Sequence, residues 1–102
     1  MTSKKINSER KKYLRQIGHH LKPIVTISSN GLSESVIKEI DRALNDHELI
    51  KIKLNVENKK EITKKICEKN NAFIVQGIGN VILIIRESIK PNPKLSNLLK
   101  TK

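Results

Sequence analysis

The clearest pattern in the chain is a strict alternation, Leu49-Ile50-Lys51-Ile52-Lys53-Leu54-Asn55-Val56. Successive side chains of a strand point to opposite faces. Ile50, Ile52, Leu54 and Val56 are therefore predicted to face a core, and Lys51, Lys53 and Asn55 to face away from it. Upstream, Val36, Ile37, Ile40, Ala43 and Leu44 recur at helical spacing and predict an amphipathic helix from Glu34 to about Asp46. Ser33 stands at its N-cap, with Leu32 and Ile37 placed to form a hydrophobic staple. Leu14, Ile17 and Leu21, with Tyr13 beside them, mark an earlier helix from about Ser8 to His20, capped by Asn7 or Ser8. Lys22-Pro23 ends it, because proline disfavours the α region for the residue before it.

Ile24-Val25-Thr26-Ile27 is β-branched throughout and reads as a strand. Ser28-Ser29-Asn30-Gly31 is a turn in which Gly31 or Asn30 can take positive φ. Asn58 and Glu61 match a capping box for a helix from Lys59 to Lys69, with Ile62 and Ile66 inward and Asn70-Asn71 able to close it in the left-handed region. Ala72–Ile78 and Val81–Arg86 read as strands around Gly79-Asn80, a loop suited to a type II′ hairpin.

The element order is αβαβαββ, an α/β fold with a single four-stranded mixed sheet packed with helices. Helical connections predict that the first and second strands pair in parallel, as do the second and third, with the fourth antiparallel to the third. Val81 to Ile85 is apolar at every position, which predicts cover on both faces, from the first helix or from Leu95, Leu98 and Leu99. Phe73, inside a strand, is expected in the core. With 102 residues and 36% apolar content, one core is affordable. Residues 1–87 are expected to form the domain and residues 88–102, with Pro91 and Pro93, a flexible basic tail. The longest apolar run falls far short of the roughly 20 residues a membrane helix needs. No secretory signal is legible at the start, and one cysteine excludes an internal disulfide, so a cytoplasmic, monomeric protein is expected.

Charge narrows the function. Twenty-one Lys and Arg face ten Asp and Glu, a formal net charge of +11. Seventeen of those cations are Lys, beside 16 Ile, a composition that an A/T-rich genome also produces, so the position of the charge matters more than its sum. Residues 1–26 hold seven cations and one acid, residues 27–58 four and six, and residues 59–102 ten and three. Such segregation points to a polyanionic partner. Arg10, Lys11, Lys12 and Arg15 crowd the first turns of a helix, where cations oppose the macrodipole; a phosphate partner accounts for them and local stability does not. Cations from both ends of the chain are expected to converge beside the Asn30-Gly31 bend. Catalysis finds no support: there is no P-loop, GxSxG, HExxH or paired-cysteine site, and Glu34, Glu39, Asp41 and Asp46 lie on the polar side of one helix. His19-His20 lacks companion ligands at metal spacing; a helix cap or a phosphate contact fits the pair better. No metal or cofactor is expected.

Three blocks carry a resemblance: Arg10-Lys11-Lys12-Tyr13-Leu14-Arg15 with His19-His20-Leu21-Lys22-Pro23; Asn30-Gly31-Leu32; and His47-Glu48-Leu49-Ile50-Lys51-Ile52-Lys53. In this order and spacing the chain resembles the CRM domain (chloroplast RNA splicing and ribosome maturation) family in its stand-alone bacterial, YhbY-like form, over about residues 6–87. The resemblance implies a fold akin to the C-terminal domain of translation initiation factor three and association with precursors of large-subunit ribosomal RNA. It also implies an RNA-contacting GxxG loop between the first strand and second helix. Here that loop is Ser28-Ser29-Asn30-Gly31, so serine replaces the first glycine, while Gly31 and the helix N-terminus after it are kept. The expected RNA-binding residues are Lys11, Lys12, Arg15, Lys22, Ser28, Ser29, Asn30, Gly31, Lys51 and Lys53. Tyr13 and Phe73 are the only aromatics, too few for a base-stacking platform, so phosphate and ribose contacts should dominate. The rival expectations are docking of a ribosomal protein or assembly factor through the apolar last strand and the Leu95–Leu99 tail, and DNA binding through the acidic second helix.

Overall fold

In a computed structural model, residues 8–87 and Ser96 are described. Seven elements follow in the expected order: α1 (Ser8–His19), β1 (Pro23–Ile27), α2 (Glu34–His47), β2 (Leu49–Leu54), α3 (Lys59–Asn70), β3 (Phe73–Ile78) and β4 (Val81–Ile85). Ser33 caps α2 by accepting from the Val36 N–H at 3.3 Å. Asn71, at φ 51°, closes α3 in the left-handed region. Gly31 takes φ 76° in the turn after β1, and Gly79 takes φ 56° at the first position of the β3–β4 loop, as a type II′ turn requires. The Asn58–Glu61 capping box does not form: Asn58 Nδ2 donates to the Glu61 carboxylate at 3.3 Å, and the Asn58 side chain caps no backbone N–H.

The sheet order is β1-β2-β4-β3. β1 and β2 pair in parallel, and β4 is antiparallel to both of its neighbours. The expected β2–β3 pair is therefore absent: the two strands run the same way with β4 inserted between them. A helical crossover fixes the direction of the returning strand and leaves open how many positions it skips. Here the all-apolar strand takes the site where both faces are covered.

That cover comes from two sides. Ile82 and Ile84 join Val25, Ile27, Ile50, Ile52 and Leu54 beneath Ile40, Leu44, Ile62 and Ile66 of α2 and α3. On the opposite face Leu83 and Ile85 join Leu49 and Val75 beneath Leu14 and Ile17 of α1. Of the two expected covers for the last strand, α1 is the one seen; Leu95, Leu98 and Leu99 lie outside the described residues. So does the expected tail, save Ser96, which is fully buried and donates to the Glu48 carboxylate at 2.6 Å. Gly18 lets α1 approach: a Cβ there would stand 2.5 Å from Leu83 Cδ2. Phe73 is not in the core. It is 40% exposed at the start of an edge strand whose register slips between Ile74 and Gln76. Arg86, just past β4, ties the far end together, donating to Asp41 Oδ1 at 2.6 Å, Asn45 Oδ1 at 2.8 Å and the Asn70 carbonyl at 2.8 Å. Docking through the last strand is also corrected, since β4 has a sheet neighbour on each edge. Among the described residues, no helix is long and apolar enough to cross a membrane.

Candidate nucleic-acid interface

The site grows from the alternation in β2. With Ile50, Ile52 and Leu54 turned into the larger core, Lys51 and Lys53 share the α1 face of the sheet. Strand register sets their companions: Lys51 lies across from Leu83, which lies across from Gln76. One row further along, Thr26, Lys53, Val81 and Ile78 are aligned. α1 covers Leu83 and Ile85 and stops short of that second row. Thr26, Lys53 and Ile78 are exposed as a result.

Along the edge of this open strip, α1 presents Lys12, Arg15, Gln16 and His19, residues spaced three and four apart and so on one helical face. They and His20 form one wall of a groove of about 870 Å³, with Lys51, Gln76, Ile78 and Val81 as its floor and far side. Among the described residues no carboxylate lines it. Among the described residues Lys12, Arg15, Lys51 and Lys53 take part in no ion pair, whereas Arg10 bridges Glu87 at 3.0 Å and Arg86 bridges Asp41 at 2.6 Å. Uncompensated cations gathered without an acid attract anions most strongly.

Of the ten expected residues, the groove gathers Lys12, Arg15 and Lys51, and Lys53 stands in the adjoining row. Lys11 is half-buried and does not line it, and Lys22 is exposed in the turn before β1. The loop Ser28–Gly31 follows directly from β1 at the open end of the strip. Ser28, Ser29 and Asn30 are exposed, and the Gly31 N–H donates to the Ser28 carbonyl at 2.8 Å. Ser29 and Gly31 border a separate hollow of about 640 Å³ shared with Asn80 and with Asn55 to Lys59, where the N-terminal end of α3 arrives. No backbone group is crowded there: nothing lies within 4 Å of a Cβ built on Gly31, and its positive φ is what calls for glycine.

The expected convergence of cations from both chain ends holds at Lys59, which borders the hollow beside Gly31, and does not extend to Lys60 and Lys64; Lys90, Lys94, Lys100 and Lys102 lie outside the described residues. Lys59, Lys60 and Lys64 belong to α3, which packs on the opposite face of the sheet. Among the described residues the helix-borne lysines thus divide between an α1 face and an α3 face. Gln16 and Gln76 join the groove without having been singled out. Gln76 is the one polar side chain in β3, and Gln16 follows Lys12 by one helical turn; both signals were present in the sequence. Among the described residues no three His, Cys, Asp or Glu are grouped to hold a metal. Cys67 is half-buried, and burial, then Glu68, pushes its thiol pKa up, the opposite of activation.

Comparison with known proteins shows the family to which this fold belongs. The family model for the CRS1 / YhbY (CRM) domain matches residues 6–86. A Pseudomonas aeruginosa protein named as a probable RNA-binding protein, PA4753, is 43% identical over 96 residues, 91% of this chain and 92% of its own. The probable RNA-binding protein YqeI of Bacillus subtilis is 33% identical over 86 residues, 81% of this chain and 90% of its own. Among solved structures, the solution structure of SAV1595 from Staphylococcus aureus, proposed to bind RNA, superposes with a TM-score of 0.72 at 37% identity, covering 84% of this chain and 93% of that one. A match over most of the chain, with relatives of nearly equal length, makes this protein a member of the CRS1 / YhbY (CRM) domain family.

Proposed function

We propose that this protein binds RNA along the α1 face, and that the RNA is a precursor of large-subunit ribosomal RNA engaged in the cytoplasm during ribosome assembly. The observation that carries the proposal is the gathering of Lys12, Arg15, His19, His20 and Lys51 along one groove with no acid among its described lining residues, beside the exposed row of Thr26, Lys53 and Ile78. Lys12, Arg15, Lys51 and Lys53 contact phosphates, His19 and His20 add donors at the C-terminal end of α1, and Ser28–Gly31 meets the backbone where the strip ends. With no Phe, Tyr or Trp among the described residues lining the groove, and only the imidazoles of His19 and His20 as rings, the target is recognised chiefly by shape and backbone. The protein acts by binding, with no chemical step. The names of the relatives support RNA as the partner class.

The test is the salt dependence of binding to precursor ribosomal RNA. Replacing Lys12, Arg15 and Lys51 together by Gln should flatten the slope of log affinity against log salt by about 2–3 units, since each phosphate contact contributes about 0.7–0.9. An unchanged slope would remove the groove from the interface. Crosslinking in cells followed by sedimentation identifies the RNA: recovery on particles other than large-subunit precursors would overturn the assembly role.

A further inference from the structure

On the sheet face away from α1, a second groove of about 800 Å³ opens between α3 and β3. Its floor is apolar, built by Leu54, Ile74, Ile82 and the Cys67 side of α3, and its rim carries Lys59, Lys60 and Lys64 with one carboxylate, Glu68. Among the described residues none of these three lysines has an ion-pair partner, although Lys65 on the same helix bridges Glu61 at 3.3 Å. Gly77 keeps the floor open: a Cβ there would sit 3.8 Å from both Ile74 Cδ1 and Ile82 Cγ2, so a larger side chain would project into the groove.

β3 forms one wall and, among the described residues, is an edge strand paired with β4 alone. Exposed edges in soluble proteins are usually blunted by charges or proline. Phe73 to Ile78 contains neither, and Ile74 and Ile78 are 42% and 66% exposed. An apolar floor with no aromatic ring suits protein side chains better than nucleobases, which bind by stacking. Three lysines against the single carboxylate of Glu68 leave the rim cationic, which favours carboxylates on the partner.

We infer that this groove receives an extended segment of a partner protein that carries both acidic and apolar side chains and adds to the open edge of β3. Backbone hydrogen bonds to β3 supply affinity, apolar side chains fill the space above Gly77, and carboxylates meet Lys60 and Lys64. The site is independent of the RNA-binding reading, because it lies on the other face of the sheet.

The probe is a fluorescein-labelled peptide rich in glutamate and valine, titrated into the full chain, beside a version with proline at alternate positions that keeps the charge and cannot pair as a strand. The labelled peptide should bind saturably and slow alkylation of Cys67, and the proline version should not. Gly77→Val suits a strand and fills the groove; Lys60→Glu with Lys64→Glu reverses the rim. Each should weaken peptide binding by about tenfold or more, while Lys12→Gln with Arg15→Gln leaves it unchanged. Equal binding of the proline version, or full binding by a Gly77→Val protein with an unaltered melting temperature, would overturn the inference. So would loss of RNA affinity in Gly77→Val, which would assign the groove to RNA, or tighter peptide binding after removal of residues 88–102, which would assign it to the chain's own end.

Discussion

The two faces of the sheet are built from the same strands and are finished differently. Two helices close one face over Ile27, Ile52, Leu54 and Ile84, each almost fully buried, and leave open the rim between α3 and β3 and the hollow at the start of α3. A single helix closes half of the other face, over Leu49, Leu83 and Ile85, and leaves Thr26, Lys53 and Ile78 in solvent. Alternation along β2 makes both outcomes at once, since every residue between the isoleucines must face the thinly covered side. The closed face holds the fold together. The half-closed face has room for a partner as large as a nucleic-acid backbone.

If that division is correct, substitutions on the two faces must separate stability from binding. Ile84→Ala, in the centre of the larger core, should cost about 3–4 kcal/mol in urea denaturation, enough to threaten a domain whose stability is of order 5–15 kcal/mol. A loss under about 1 kcal/mol would mean that the larger core is looser than the packing indicates. Gly18→Val drives a branched side chain into Leu83 and should destabilise by about 1–3 kcal/mol; because it lifts the helix that carries Lys12 and Arg15, RNA affinity should fall with it. His19→Gln with His20→Gln should leave the melting temperature unchanged and weaken RNA binding by a few-fold, less than loss of Lys12 or Arg15, as read by fluorescence anisotropy. The smallest effect is at Glu61, whose carboxyl is held below its ordinary pKa by Asn58 Nδ2 and then by Lys65. A lowered folded pKa stabilises above the unfolded value and is lost as pH falls through the folded one. Asn58→Ala should therefore raise the Glu61 midpoint toward the ordinary glutamate value in an NMR titration and soften the acid dependence of stability slightly.

Much of the fold is legible because local patterns agree with it. The alternation of β2, the Ser33 cap, the left-handed Asn71 and the Gly79 turn are decided within a few residues of chain. Sheet order is not local. The all-apolar run of Val81–Ile85 announced two covered faces, and hence an interior position, yet chain connectivity alone favours placing β3 beside β2. Phe73 shows the same limit: its side chain suits a core, while the register slip beyond Ile74, on an edge strand, leaves it exposed. At the site, Lys12, Arg15, Lys51 and Lys53 were legible because helical spacing and strand alternation fix which side of an element they occupy. The separation of the α3 lysines was not, because it depends on which face of the sheet each helix crosses to.

The position of β4 also has a consequence in time. The strand joining β2 to β3 is the last of the four to leave the ribosome, so a nascent chain that ends before residue 81 holds three strands of which only β1 and β2 can pair. Leu49, Ile52 and Val75 lack their β4 neighbours until Val81–Ile85 slots between the halves, making closure of the sheet a late event with long-range contacts. Release of residues up to about Arg86, whose side chain then fastens α2 and the end of α3, is the moment at which the whole surface on either side of the sheet comes into existence.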